Sequence, residues 1–374
     1  MFFLYFCNIK IKEKQMGNRF KNNDRSIIIA GPCSVESKLQ LTESVESLQR
    51  VEGISMIRCG VWKPRTRPGG FEGIGEPALE WMEEIAQKFP KTPFCCEVAR
   101  PEHVEMCQNH GIDTVWIGAR TSGDPFSVEE LAEALKGSQM SVMVKNPLTP
   151  DVKLWVGAIE RIMKSGIENI AAIHRGFFVY HSNTPYRNTP LWEVPIELRR
   201  LMPDIPILCD PSHIGGKREY IQTLMQTASN MGTDGYMVEV HPHPDEALTD
   251  KEQQITADTL ATLLENIVRR KQTGSENSEL ETLRKEIDLI DHLLLAKLSE
   301  RMHVSEEIAR IKSNCNLSVF QPKRWDEVLR QRTTMATELG LHEDFVKSIY
   351  ERIHTESVRI QESILEQITD NNTK

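Results

Sequence analysis

Apolar, β-branched runs recur along the first part of the chain, near residues 26–30, 55–62, 93–98, 114–119, 141–146, 169–174, 206–210 and 235–240. Between them, the stretches 37–51, 77–89, 101–109, 128–136, 151–165, 217–231 and 246–270 carry apolar positions at helical spacing. Strand and helix alternate, so consecutive strands are expected to run parallel, each returning through a crossover. Eight strands within about 250 residues predict an α/β domain closed as a (β/α)8 TIM barrel over residues 26–270. A doubly wound open sheet is the competing architecture, and the strand count favours the barrel.

The pattern changes after residue 270. Residues 271–278, Lys-Gln-Thr-Gly-Ser-Glu-Asn-Ser, read as a polar linker, and no strand signal follows. Leu280, Leu283, Ile287, Ile290 and Leu294 mark one face of a long helix reaching about Lys312. A shorter helix follows Pro322, and a third starts near His342. Residues 279–366 therefore form a small all-α domain, with 367–374 as a tail.

Residues 1–25 are expected to be an N-terminal extension, with Met1 or Met16 as the start. Their apolar beginning is short, lacks a preceding basic region and runs into the charged segment Lys10 to Lys14, which argues against a signal peptide. No later apolar run has the length of a membrane span, so no membrane partner is expected.

With 374 residues, the chain exceeds what one hydrophobic core usually supports, in keeping with two domains. A net charge of −9 argues against a nucleic-acid partner but leaves room for a locally basic pocket that takes small anions. The eight cysteines have no framework spacing, and adjacent Cys95 and Cys96 are poorly placed for a disulfide scaffold. They read as reduced thiols of a cytoplasmic protein.

Barrel active sites form at the C-terminal ends of the strands, and these ends carry unusual chemistry. The first strand ends at Cys33, the second leads to Arg58, Lys63 and Arg65, and the fourth to Arg120. The fifth ends at Lys145, the sixth at Arg175, the seventh at His213, and the eighth at Glu239 and His241. Closure brings the eighth strand beside the first, so Cys33, His213 and Glu239 become neighbours. Thiolate, imidazole and carboxylate together suit a borderline divalent ion such as Zn²⁺, Mn²⁺, Fe²⁺ or Co²⁺. Singly, Cys33 reads as a small buried hydrophobe and His213 as a structural histidine; their convergence favours a metal site. The six cations suit an anion with several phosphate or carboxylate groups. Rim salt bridges to Glu97 and Asp210 are the plainer alternative.

The motifs Ala-Gly-Pro-Cys-Ser (30–34), Lys-Pro-Arg-Thr (63–66), Ile-Gly-Ala-Arg (117–120), Val-Lys-Asn (144–146), Asp-Pro-Ser-His (210–213) and Val-Glu-Val-His-Pro (238–242) resemble one enzyme family. It is the 3-deoxy-D-arabino-heptulosonate 7-phosphate (DAHP) synthases of the octulosonate-synthase-like subclass. The sister 3-deoxy-D-manno-octulosonate 8-phosphate synthases carry Lys-Ala-Asn-Arg-Ser where this chain has Lys-Pro-Arg-Thr, and stand second. The resemblance implies condensation of phosphoenolpyruvate with erythrose 4-phosphate, one divalent metal ion and no organic cofactor. It places metal ligands on Cys33, His213, Glu239 and Asp250. It places the phosphoenolpyruvate carboxylate end on Arg58 and Lys63, its phosphate on Arg120, Lys145 and Arg175, and the aldehyde's phosphate on Arg65 and Thr66. Lys63 is a candidate proton donor, and His241 or Glu97 a candidate for a proton on the attacking water. His243 departs from the pattern and reads as surface loop.

In the helical domain, Arg301 and Lys312 are eleven residues apart and fall within about 20° on an ideal helix. Arg284 lies roughly 100° away on the same helix. Ser357 and Gln361 extend the stripe of Ile349 and Ile353 on the last helix. A small bundle with snorkelling charged side chains would explain this much.

The string Leu-Arg-Lys-Glu-Ile-Asp (283–288), with Glu-Arg (300–301), Ile-Lys (311–312), Arg324 and Glu-Ser-Val-Arg-Ile-Gln (356–361), is similar to the all-helical chorismate mutases. That resemblance implies chorismate and prephenate as ligands, with Arg284, Arg301, Lys312, Arg324 and Gln361 as catalytic positions and Ser357 and Gln321 as binding positions. It further implies a homodimer through the helical domain in which Arg284 serves the partner's site. A tetramer through the barrels is also compatible.

Gln321 and Trp325 stand where the family often has an acidic residue and a glutamate. They motivate the alternative of a non-catalytic dimerisation and effector-binding module. The two implied reactions are not consecutive, so feedback is the expected reason for the fusion, with chorismate or prephenate closing access to the barrel mouth. The short stretch before Ser26 is read as leaving no room for a separate regulatory domain.

Overall fold

The computed structural model describes residues 19–20, 25–63, 69–180, 182–270 and 278–372. The chain divides into two compact units, Met1–Gln272 and Thr273–Lys374.

In the first unit, β1 (Ile27–Gly31), β2 (Ile54–Cys59), β3 (Phe94–Val98), β4 (Thr114–Ile117), β5 (Ser141–Lys145), β6 (Ile170–His174), β7 (Ile207–Cys209) and β8 (Gly235–Glu239) form a closed barrel. Every neighbouring pair is parallel, and β8 closes onto β1 with Gly31 opposite Glu239. Its helices are α1 (Lys38–Leu48), α2 (Glu76–Lys88), α3 (Pro101–Asn109), α4 (Pro125–Leu135), α5 (Val152–Lys164), α6 (Glu193–Leu201), α7 (Pro211–Gly215), α8 (Ile221–Asn230) and α9 (Ala257–Asn266). Several begin where a side-chain oxygen caps a free backbone N–H: Ser37, Asp124, Asp151 and Thr256.

Strand alternation sorts the side chains into two cores. Ile28, Ala30, Ile57, Val115, Val142 and Val238 join the core shared with the helices. The other track, with Ile29, Met56, Cys95, Trp116, Met143, Leu208 and Met237, fills the barrel interior. Burying each large apolar side chain is worth about 1.5–3 kcal/mol. Two residues further along the same tracks stand Arg58, Glu97, Lys145, Asp210 and Glu239. The period that packs the interior thus also directs charge to the mouth.

Arg19 and Phe20, within the expected N-terminal extension, belong to the barrel. Phe20 is buried in the interior core. Arg19 donates to Asp113 at 2.6 Å, Thr114 at 2.8 Å and, through its backbone, Asn169 at 3.1 Å, all at strand beginnings.

Three stretches differ from the pattern reading. Helices α6 and α7 were not anticipated, because both runs are short, and His213 lies in α7 and not at a strand end. The expected helix over 246–270 is confined to α9, since Asp250 has φ 46° and a loop occupies the stretch before Thr256. A bridge from Val240 to Ile255 draws that loop back over the mouth.

The second unit consists of α10 (Ser278–Asn314), α11 (Pro322–Glu338) and α12 (Glu343–Asn372). The expected linker lies outside the described residues apart from Ser278, which opens α10, and α12 continues into the expected tail. Ala309, Ala336, Val346, Ser305, Ser357 and Gln361 are buried. By contrast, Leu283, Ile287, Ile290 and Leu294 remain about half exposed, at 49–57%.

Candidate active sites

At the barrel mouth, Cys33, Glu239 and Asp250 bring ligand atoms within 4.8 Å of one another. Glycines permit this approach. A Cβ at Gly60 would lie 1.9 Å from the Cys33 carbonyl oxygen, and one at Gly31 would lie 2.2 Å from that of Arg58. His213, in α7, stands outside this close trio, with Nε2 3.6 Å from Glu239 Oε1 and Nδ1 2.7 Å from Asp210 Oδ2.

The donor chemistry fits a borderline divalent cation. Glu239 Oε1 is buried and accepts no hydrogen bond among the described residues, although Arg58 Nη2 stands 3.1 Å away. The Cys33 sulfur receives Lys63 Nζ at 2.6 Å and lies 3.2 Å from Asp250 Oδ2. Burial, then Glu239, raises the Cys33 thiol far above its ordinary range. Burial opposes charge on Lys63, but Cys33, Glu239 and Asp250 together raise its pKa. Burial likewise opposes ionisation of Asp250, yet Lys63, His213 and Arg187 hold its carboxyl well below the usual range.

The expected cations that lie within the described residues are brought to the same mouth by different elements. Arg58 and Lys145 lie over the Trp116 ring at 5.1 and 5.8 Å, and Trp116 Nε1 donates to Glu97 at 3.0 Å. Lys145 pairs with buried Asp210 at 2.9 Å. Arg58 is buried, and its Nε and Nη1 donate to nothing among the described residues. Arg175 is buried and donates to Asn188 at 2.9 Å; burial first, then Arg187 and Arg120, pull its pKa down to about 10 despite Asp210. Arg120 sits exposed at the rim. Arg65 and Thr66 lie outside the described residues. His241 is buried, 3.6 Å from Glu36, whereas His243 is exposed.

Pattern reasoning missed three residues that organise this mouth. Gln253 Nε2 donates to Glu239 Oε2 at 2.6 Å, while its Oε1 accepts from Arg187 at 2.9 Å. The same Arg187 nitrogen reaches Asp250 at 2.9 Å. Gln254 accepts the Cys33 backbone N–H at 2.9 Å and donates to the Thr249 carbonyl at 2.8 Å. The adjacent glutamines 253 and 254 were the available signal, hidden because that stretch read as helix.

In the helical unit, Arg301 donates to Ser357 Oγ at 2.6 Å and Lys312 to Gln361 Oε1 at 3.0 Å. Both pairs join α10 to α12. Burial lowers the pKa of each cation. Arg284 and Arg324 are exposed and pair within their own helices, with Glu281 at 2.5 Å and Glu327 at 2.6 Å. Gln321 is exposed at the start of α11, and Trp325 stacks on His354.

Fold and sites define a (β/α)8 enzyme with a cationic, carboxylate-lined mouth, carrying a helical unit with a second cationic cluster. Residues 8–275 match the DAHP synthetase I family, and residues 283–362 match chorismate mutase type II. The chain belongs to the DAHP synthetase I family and is a two-activity enzyme, a 3-deoxy-7-phosphoheptulonate synthase with a chorismate mutase domain.

Phospho-2-dehydro-3-deoxyheptonate aldolase of Thermotoga maritima is 33% identical over 244 residues, covering 64% of this chain and 68% of that protein. The crystal structure of the aldolase from that organism superposes with a TM-score of 0.57 at 29% identity, covering 64% of this chain and 67% of the other. The 2-dehydro-3-deoxyphosphooctonate aldolase of Geotalea daltonii is 26% identical over 278 residues, covering 69% of this chain and 97% of that protein.

Proposed function

We propose that the barrel mouth condenses phosphoenolpyruvate with erythrose 4-phosphate around one divalent ion, and that the helical domain converts chorismate to prephenate and reports its occupancy to the barrel. One observation carries the first part. Buried Arg58 keeps two unpartnered donors beside buried Glu239, whose Oε1 accepts no hydrogen bond among the described residues. The two charges face each other at 3.1 Å, but buried donors and a buried acceptor left without hydrogen bonds are costly, and an anionic substrate with a cation would satisfy both.

In this reading Cys33, Glu239, Asp250 and His213 hold the ion, which when bound polarises the aldehyde carbonyl as a Lewis acid. Arg58 and Lys63 hold the carboxylate end of phosphoenolpyruvate, and Arg120, Lys145 and Arg175 hold its phosphate. Arg65 and Thr66 hold the phosphate of the aldehyde. Fixing two mutually repelling anions in register is the main service of these cations. Lys63 carries the proton that the new hydroxyl oxygen receives.

Arg301, Lys312, Ser357 and Gln361 supply the mutase pocket, with Arg324 and Gln321 at its margin. Fixed cations clamp both carboxylates in a compact conformer and favour the charge developing on the breaking ether oxygen. Arg284 points elsewhere within its own protomer, and the half-exposed stripe from Leu283 to Leu294 favours a homodimer through α10 in which Arg284 serves the partner's pocket. No helix among the described residues is long and apolar enough to cross a membrane, and the cysteines among the described residues are free thiols, which favours a cytoplasmic setting.

Product analysis on the full chain tests this function. Erythrose 4-phosphate should yield the seven-carbon sugar acid phosphate, and prephenate should slow that reaction. Preference for arabinose 5-phosphate would assign the octulosonate reaction instead, and indifference to prephenate and chorismate would remove the feedback role.

A further inference from the structure

Trp325 and His354 lie face to face, their ring centroids 4.1 Å apart and their planes 13° from parallel. Phe320 stands 5.8 Å from the same imidazole. The stack ties the start of α11 to the middle of α12. On α12, His354 precedes Ser357 by three residues and Gln361 by seven, which puts all three on one face. Ser357 and Gln361 receive Arg301 and Lys312, so the imidazole shares its face with the acceptors of both cations. Its Nε2 is buried and has no hydrogen-bond partner among the described residues. Burial, then Arg301 and Lys312, lowers the His354 pKa, so the ring is neutral at physiological pH and offers a bare nitrogen lone pair.

We propose that His354 contacts the ligand of the helical pocket, accepting at Nε2 a hydrogen bond from the hydroxyl of a cyclic hydroxy-dicarboxylate while Trp325 fixes the imidazole plane. The proposal rests on reading this pocket as the mutase site. Arg301 and Lys312 attract the carboxylates, and a neutral acceptor on the same face distinguishes a hydroxyl from a third anionic group. Trp325, stacked on the ring, thereby acts as a positioning residue.

The test uses the full chain, with chorismate as substrate and prephenate as the binding probe. His354→Leu should lower kcat/KM about five- to tenfold, the share of one neutral hydrogen bond, and His354→Gln should recover to within about twofold of wild type. Prephenate should change tryptophan fluorescence in wild type, and the change should shrink in Trp325→Phe. This readout holds even where His354→Leu proves unstable by circular dichroism. Unaltered kcat/KM in a folded His354→Leu, glutamine no better than leucine, or a fluorescence change that survives in Trp325→Phe would overturn the proposal. Wild-type protein that neither consumes chorismate nor binds prephenate would instead overturn the mutase reading beneath it.

Discussion

Lys63 Nζ lies 2.6 Å from the sulfur of Cys33, and Asp250 Oδ2 stands 3.2 Å from the same sulfur and 3.7 Å from that nitrogen. The lysine favours a thiolate, but burial and Glu239 outweigh it, so the metal-free thiol keeps its proton at neutral pH. A divalent ion that takes the sulfur must displace that proton. Affinity should therefore rise with pH, by about tenfold per unit for one released proton between about pH 6 and 8. Competition against a chromophoric chelator measures this. A pH-independent dissociation constant would exclude Cys33 from the ligand set.

Gln253 bridges Arg187 and Glu239, and Arg187 also holds Asp250. Shortening it in Gln253→Ala leaves Glu239 Oε2 without that donor and frees Arg187 from one acceptor. Metal affinity should fall about 10- to 100-fold. Metal titration of the stripped protein reads this directly, and a thermal melt confirms that the fold persists.

The barrel was legible because alternation is strict. Tracks such as Met56 to Arg58 and Met237 to Glu239 show apolar interior followed by mouth charge, so strand ends could be located and their charges gathered. Arg187 was not legible, since it sits in an irregular loop where no period marks its direction. Gln253 and Gln254 were obscured by helix-forming neighbours, whereas the chain turns at Asp250, with φ 46°, and is drawn back by the bridge from Ile255 to Val240. In the helical unit the spacing found Arg301 with Lys312, whereas the stack of Trp325 on His354 joins separate helices and has no signature in either.

His174 is buried against Trp192, with centroids 4.9 Å apart, and burial then Arg175 push its pKa down to about 3. Its ordinary value is 6.5, so between these values the unfolded chain binds a proton that the folded chain refuses. Stability contributed here is present above the ordinary value and declines as pH falls toward the folded one, by about 1.4 kcal/mol per unit. His174→Leu should flatten the fall of barrel stability below about pH 6. Denaturant melts at several pH values, read on both proteins, check it, and parallel curves would contradict it.

Arg301 holds Ser357 at 2.6 Å and is partly withdrawn from water. Arg301→Ala should lower mutase kcat about 100- to 1,000-fold, as loss of a fixed donor to developing charge does elsewhere. The condensation rate measured without chorismate or prephenate on the same preparation should be unchanged. Equal loss of both activities would point to a structural rather than a ligand-directed role.

The most direct measurement is phosphate release from phosphoenolpyruvate and erythrose 4-phosphate by chelator-stripped full-length protein, before and after Mn²⁺ is restored, alongside Cys33→Ser. The account expects negligible turnover without metal, recovery on resupply, and little recovery in the variant. Full turnover by the stripped protein, or full recovery in Cys33→Ser, would contradict the metal-centred reading of the barrel mouth.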